Sequence, residues 1–76
     1  MSPDDIRDEL IATDDEYRRL FEDHQESEHR LTRLHQKSLL SEDDEIEEKK
    51  IKLHKLALKD RMELILRQRA EQHVHA

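Results

Sequence analysis

The chain has no cysteine, no glycine and no tryptophan, a single proline at Pro3, and only two aromatic residues, Tyr17 and Phe21. Each absence excludes a class of protein. Without cysteine there is neither a disulfide framework nor a thiolate metal site. Without glycine there is no phosphate-cradling loop, and no residue that takes left-handed backbone at a helix end without cost. The longest apolar runs, such as Leu56-Ala57-Leu58 and Leu64-Ile65-Leu66, are three residues long, far short of the ~20 that a membrane span requires. The start, Ser2-Pro3-Asp4-Asp5, lacks the basic and apolar regions of a secretory signal, so the expected location is the cytoplasm. Nucleophilic catalysis has no candidate, because every serine falls at a helix cap, in a loop or on a packing face. The expectation is a protein that is no enzyme, holds no cofactor and touches no membrane.

What is present is charge and helix propensity. Of 76 residues, 45% are charged, and Leu, Ile, Val and Phe together number 18, barely enough for a packed core. A domain this short buries little of its surface and starts near the margin of stability. Nearly every residue from 14 to 70 favours helix, whereas Val, Tyr and Phe total three, so the expected fold class is all-α. Ser2-Pro3 offers an N-cap followed by proline, Thr13-Asp14-Asp15-Glu16 reads as a capping box, and Ser41-Glu42-Asp43-Asp44 as a weaker one with aspartate at its last position. These signals predict a single domain with a helical arm at about 3–11, a helix at about 14–37, a turn at about 38–41, a helix at about 42–69 and a frayed tail at 70–76.

Two independent patterns argue that the chain turns in "HQKSLLSEDDEIEEKK" rather than running through it as one rod. Tyr17, Leu20, Phe21, His24, Leu31 and Leu34 share one face at about 100° per residue, and the apolar residues of the later segment centre about a third of a turn away. Charge order gives the second pattern. Residues 4–28 hold eleven acids against three bases, Arg30, Arg33 and Lys37 follow, then six acids from Glu42 to Glu48, then eight bases from Lys49 to Arg69. Folded back antiparallel, acids meet bases at both ends, and each helix carries acids at its N-terminus and bases near its C-terminus, as the macrodipole favours. A coiled-coil-like helical hairpin follows, with Ser38 and Ser41 serving where glycine usually stands.

The second helix is too apolar for one partner. Ile46, Leu53, Ala57 and Leu64 form one stripe, assigned here to the seam with the first helix, and Ile51, Leu58, Met62 and Ile65 form another about 120° away, assigned to an interface. The expected partner is a second copy, giving a homodimeric four-helix bundle, or another protein. The competing assignment folds Ile6, Leu10 and Ile11 of the arm over the second stripe.

Several residue groups carry potential chemistry. Glu26-x-x-His29 has the spacing of di-iron carboxylate bundles, but both residues fall opposite the apolar face, and the later helix offers no inward carboxylate. His24 reads as a packing-face histidine, His54 lies between the two stripes, and His73-x-His75 as part of the tail. The run Lys49, Lys50, Lys52, Lys55, Lys59, Arg61 suggests nucleic acid, but the net charge of −6 and the acids opposite it in a hairpin argue against a free positive field.

Leu20-Phe21-Glu22-Asp23-His24-Gln25-Glu26-Ser27-Glu28-His29 and Lys49-Lys50-Ile51-Lys52-Leu53-His54-Lys55-Leu56-Ala57-Leu58-Lys59-Asp60-Arg61-Met62 resemble the two motifs of the YdcH-like family of short bacterial proteins. The resemblance spans about residues 13–68, with Ser27 where the family pattern carries leucine. It implies a bacterial, cytoplasmic helical hairpin and brings no activity with it, the family being one of unknown function. The expected function is a non-enzymatic protein–protein interaction module acting by helix pairing, with a metal-linked or nucleic-acid-associated regulator as the alternative.

Overall fold

The computed structural model describes residues 3–75, with side chains from 4 to 72, so the cap expected at Ser2 lies outside the described residues. All secondary structure among them is helical: α1 (Pro3–Thr13), α2 (Asp15–His35) and α3 (Glu42–His75). The molecule measures 53 × 20 × 16 Å. Its length is that of α3, whose 34 residues span about 50 Å at 1.5 Å per residue.

One residue separates α1 from α2. Asp14 is extended, with φ −113° and ψ 110°, and its carboxylate accepts a hydrogen bond from the Tyr17 N–H at 2.9 Å. The cap therefore falls one residue later than the expected Thr13. Thr13 stays in α1 because its hydroxyl donates to the Glu9 carbonyl at 2.7 Å, an i−4 bond that satisfies the side chain inside the helix.

The turn is made without any left-handed residue; no described residue has positive φ. α2 tightens instead, with Gln36 N–H donating to the Arg33 carbonyl and Lys37 N–H to that of Leu34, and it ends at His35, two residues before the expected 37. Lys37 leaves the helix with its Nζ 2.8 Å from Asp44. Ser41 and Asp44 then form the reciprocal box: Ser41 N–H donates to the Asp44 carboxylate at 3.0 Å, and Asp44 N–H to the Ser41 hydroxyl at 3.1 Å.

α2 and α3 pack as an antiparallel hairpin whose ion pairs cross as the charge blocks require. Glu16 meets Arg61, Asp23 meets His54 and Glu28 meets Lys55, whereas Arg30 meets Glu47, His35 meets Glu48 and Lys37 meets Asp44. Glu9–Arg69 extends the series to α1. Ile6, Leu10, Tyr17 and Ile65 form the buried cluster, flanked by Ile11, Leu20, Met62, Leu66 and Ala70. Helix α3 runs on to His75 where a frayed tail from 70 was expected; Arg69 and Ala70 pack against α1, and Glu71 and Gln72 beyond them are exposed. Toward the turn the arm no longer reaches, and Ser27, Leu31, Leu34, Ile51 and Leu58 are buried between α2 and α3.

Replacing Ser41 by alanine removes the hydroxyl acceptor that starts α3. The expected cost is about 0.5–2 kcal/mol, read as a lower urea midpoint with an unchanged m-value. An unchanged midpoint would show that the turn does not depend on this cap.

Candidate interaction surface

Helix α3 presents two apolar faces, and the structure exchanges the roles expected of them. Ile51, Leu58 and Ile65 are only 4%, 7% and 7% exposed and pack inside the chain, with Met62 half-buried beside them. Ile46, Leu53 and Leu64, expected in the seam, are 53%, 68% and 42% exposed, and Ala57 is exposed with them. The interface assigned to Ile51, Leu58, Met62 and Ile65 is therefore corrected to the hairpin interior, and the α3 seam assigned to Ile46, Leu53, Ala57 and Leu64 to the outer surface. On α2, Tyr17, Leu31 and Leu34 are buried and Leu20, Phe21 and His24 half-buried.

The flanking charges explain the exchange. The two stripes have similar apolar content, so burial alone does not choose between them. The inner stripe is bordered by Asp44, Glu47, Glu48, His54, Lys55 and Arg61, each of which reaches a partner on α2 or in the turn. Arg61 grips Glu16 through two bonds, Nε at 3.1 Å and an outer nitrogen at 3.2 Å. The outer stripe is bordered by Lys49, Lys50 and Asp60, which have no such partners across the hairpin among the described residues.

Sequence reasoning left Leu56 unassigned, yet it is 57% exposed. Its signal was its i+3 spacing from Leu53, which widens the outer stripe to one side. Ile46, Leu53, Leu56 and Leu64 thus stand out of the surface along one helix. Scattered apolar residues on a surface mean little, whereas large contiguous apolar patches are enriched at contact sites.

The other constellations do not converge. Glu26 and His29 are exposed, and Glu26 lies 3.6 Å from Arg33. Among the described residues no three His, Cys, Asp or Glu side chains gather as a metal site would need, and the side chains of His73 and His75 lie outside those residues. Within the basic run, Lys52, Lys55 and Arg61 are paired with Glu48, Glu28 and Glu16. No helix among the described residues is long and apolar enough to cross a membrane.

Titration follows the same ladder. A hydrogen bond from Lys55 holds the Glu28 carboxyl below its ordinary value, the bond to His35 does the same for Glu48, and Lys37 followed by the Ser41 N–H does so for Asp44. Lys37 is raised in turn by Asp44. Burial raises the Tyr17 phenol, with Arg7 opposing. Carboxyls lowered in the fold stabilise it above their unfolded pKa, and that contribution disappears as pH falls through the lowered values. The thermal midpoint is expected to decline below a pH of about 4, and Glu28→Gln with Glu48→Gln to flatten the decline. An equal slope in the double variant would refute the assignment.

His24 supplies a second test. It lines an open cleft of about 290 Å³ with Tyr17, Phe21, Met62 and Leu66, and its Nε2 is buried without a hydrogen-bond partner. An unsatisfied buried polar group costs about 1–3 kcal/mol, so His24→Leu is expected to raise the urea midpoint. A lower midpoint would show that the imidazole has a partner in solution.

No family model, no curated protein and no solved structure matches this chain.

Proposed function

We propose that the protein is a non-enzymatic interaction module that works by pairing the outer face of α3 with another helix. The observation that carries this is the row of exposed apolar side chains, Ile46, Leu53, Leu56 and Leu64, on a helix whose opposite face is already filled. Exposed leucines on a rigid, straight element are suited to helix-in-groove or helix-on-helix recognition, in which apolar anchors recur at i, i+3, i+7 spacing. A catalytic role has no comparable support, since the open cleft beside His24 assembles no nucleophile with a base. The resemblance of residues 13–68 to the YdcH-like family agrees with this reading, and would make the chain a bacterial helical hairpin.

Leu53→Glu tests the reading against Leu58→Glu. Leu53 lies outside the hairpin, so its variant is expected to keep full helicity by circular dichroism and to lose the proteins that immobilised wild type retains from a bacterial lysate. Leu58 lies inside, and a buried unpaired carboxylate there is expected to unfold the chain. Retention of the same proteins by a folded Leu53→Glu variant would exclude this face as the working surface.

A further inference from the structure

The partner of that face is chemically specified by charges the hairpin does not use. Glu42, Lys49, Asp60 and Arg67 lie within about 40° of one another along α3, on the side of the outer stripe that Leu56 widens. Among the described residues none of the four has an intrachain ion pair, whereas six residues facing α2 and the turn are all paired. Their order along the helix is acid, base, acid, base. That order is complementary to itself when reversed.

Resting on the reading of α3 as a helix-pairing surface, we infer that the outer face of α3 binds the same face of a second copy of this chain, antiparallel, about a two-fold axis beside Leu56. In that register Leu56 meets its counterpart, Leu53 lies across from Ala57 of the second copy, and Ile46 from Leu64. Glu42 then faces Arg67 of the second copy and Lys49 faces Asp60, and the two-fold axis repeats each pair, as an isologous contact demands. A parallel pairing in register would set this flank against the opposite one of the second copy, bringing Glu42 near Asp43 and Lys49 near Lys50, like charge against like. On the opposite flank the antiparallel register brings Glu45 toward Glu63 of the second copy at the exposed outer edge, where solvent and salt screen them, and Lys50 near Arg61, which is already neutralised by its two bonds to Glu16. A foreign helix would match the leucines equally well; the self-complementary order of these four charges is what favours a second copy.

The outer stripe lies about 130° around α3 from the inner one. Each α3 would therefore sit between its own α2 and the α3 of its mate. Four helices would form a layer, in place of the closed four-helix bundle that the sequence suggests.

The chain has no native cysteine, so introduced thiols report the pairing directly. Ile46→Cys and Leu64→Cys are expected to form a disulfide with each other when mixed, and little with themselves. Light scattering coupled to gel filtration is expected to give a dimer mass that Leu53→Glu reduces to that of a monomer. Lys49→Glu is expected to weaken the dimer about tenfold through its two symmetric contacts, and Lys49→Glu with Asp60→Lys to restore it. A monomer mass at every concentration, self-linked cysteine variants, or a double charge variant no better than the single one would each overturn the inference. If the chain is monomeric while Leu53→Glu still abolishes capture from lysate, self-pairing falls and the interaction reading stands; if neither mass nor capture responds, both fall.

Discussion

The ladder of opposite charges between α2 and α3 decides how everything else is arranged. Each rung has at least one solvent-exposed partner, and such an ion pair is worth about 1 kcal/mol or less, so the ladder is not what makes the hairpin favourable. It acts by choosing. Helix α3 has two apolar faces, and hydrophobic burial would accept either against α2. Turning the outer face inward would separate Glu47 and Glu48 from Arg30 and His35, and bring Lys49 and Lys50 to the same level instead. The attraction kept and the repulsion avoided are of similar size, and both favour the rotation of α3 that is observed.

Once that rotation is set, the two ends of the rod differ. At one end α1 lies over Tyr17 and Ile65, so that Leu10 is fully buried and three helices share a core. At the other, two helices alone enclose Leu31, Leu34 and Ile51, and small Ser27 is buried among them at 2% exposure. The turn end must be held by something besides apolar burial. Asp44 supplies it, accepting from both Ser41 and Lys37 and so joining the chain just beyond α2 to the first turn of α3.

Much of this architecture is legible in the amino-acid order. Helix propensity, the phase break and the charge blocks indicate an all-α hairpin turning before Ser41, because each depends on local spacing or on charge sums that a one-residue error does not disturb. The arm was legible as a helix, and its cover over Met62 and Ile65 as one of two alternatives. The facing of α3 was not, because Ile46, Leu53, Ala57 and Leu64 rival Ile51, Leu58, Met62 and Ile65 in apolar content, and the choice lies in pairs such as Glu28–Lys55 that link distant positions. The displacement of the cap from Thr13 to Asp14 was hidden for a different reason: both residues are good caps, and the Thr13 hydroxyl finds a carbonyl within its own helix. Leu56 escaped notice because it sits at the edge of a stripe rather than on its centre line.

The backbone of the turn has one more consequence. Since no described residue has positive φ, every position from Ser38 to Leu40 adopts a conformation open to any L-amino acid. The loop is thus free to drift in sequence without strain, and no single residue in it is an address by which the reversal could be recognised in other chains. The instruction to reverse is written outside the loop, in Ser41, Asp44 and Lys37 and in the order of the charge blocks. A distant relative sharing this hairpin would be identified by those spaced acids and bases, and would show nothing familiar at the bend itself.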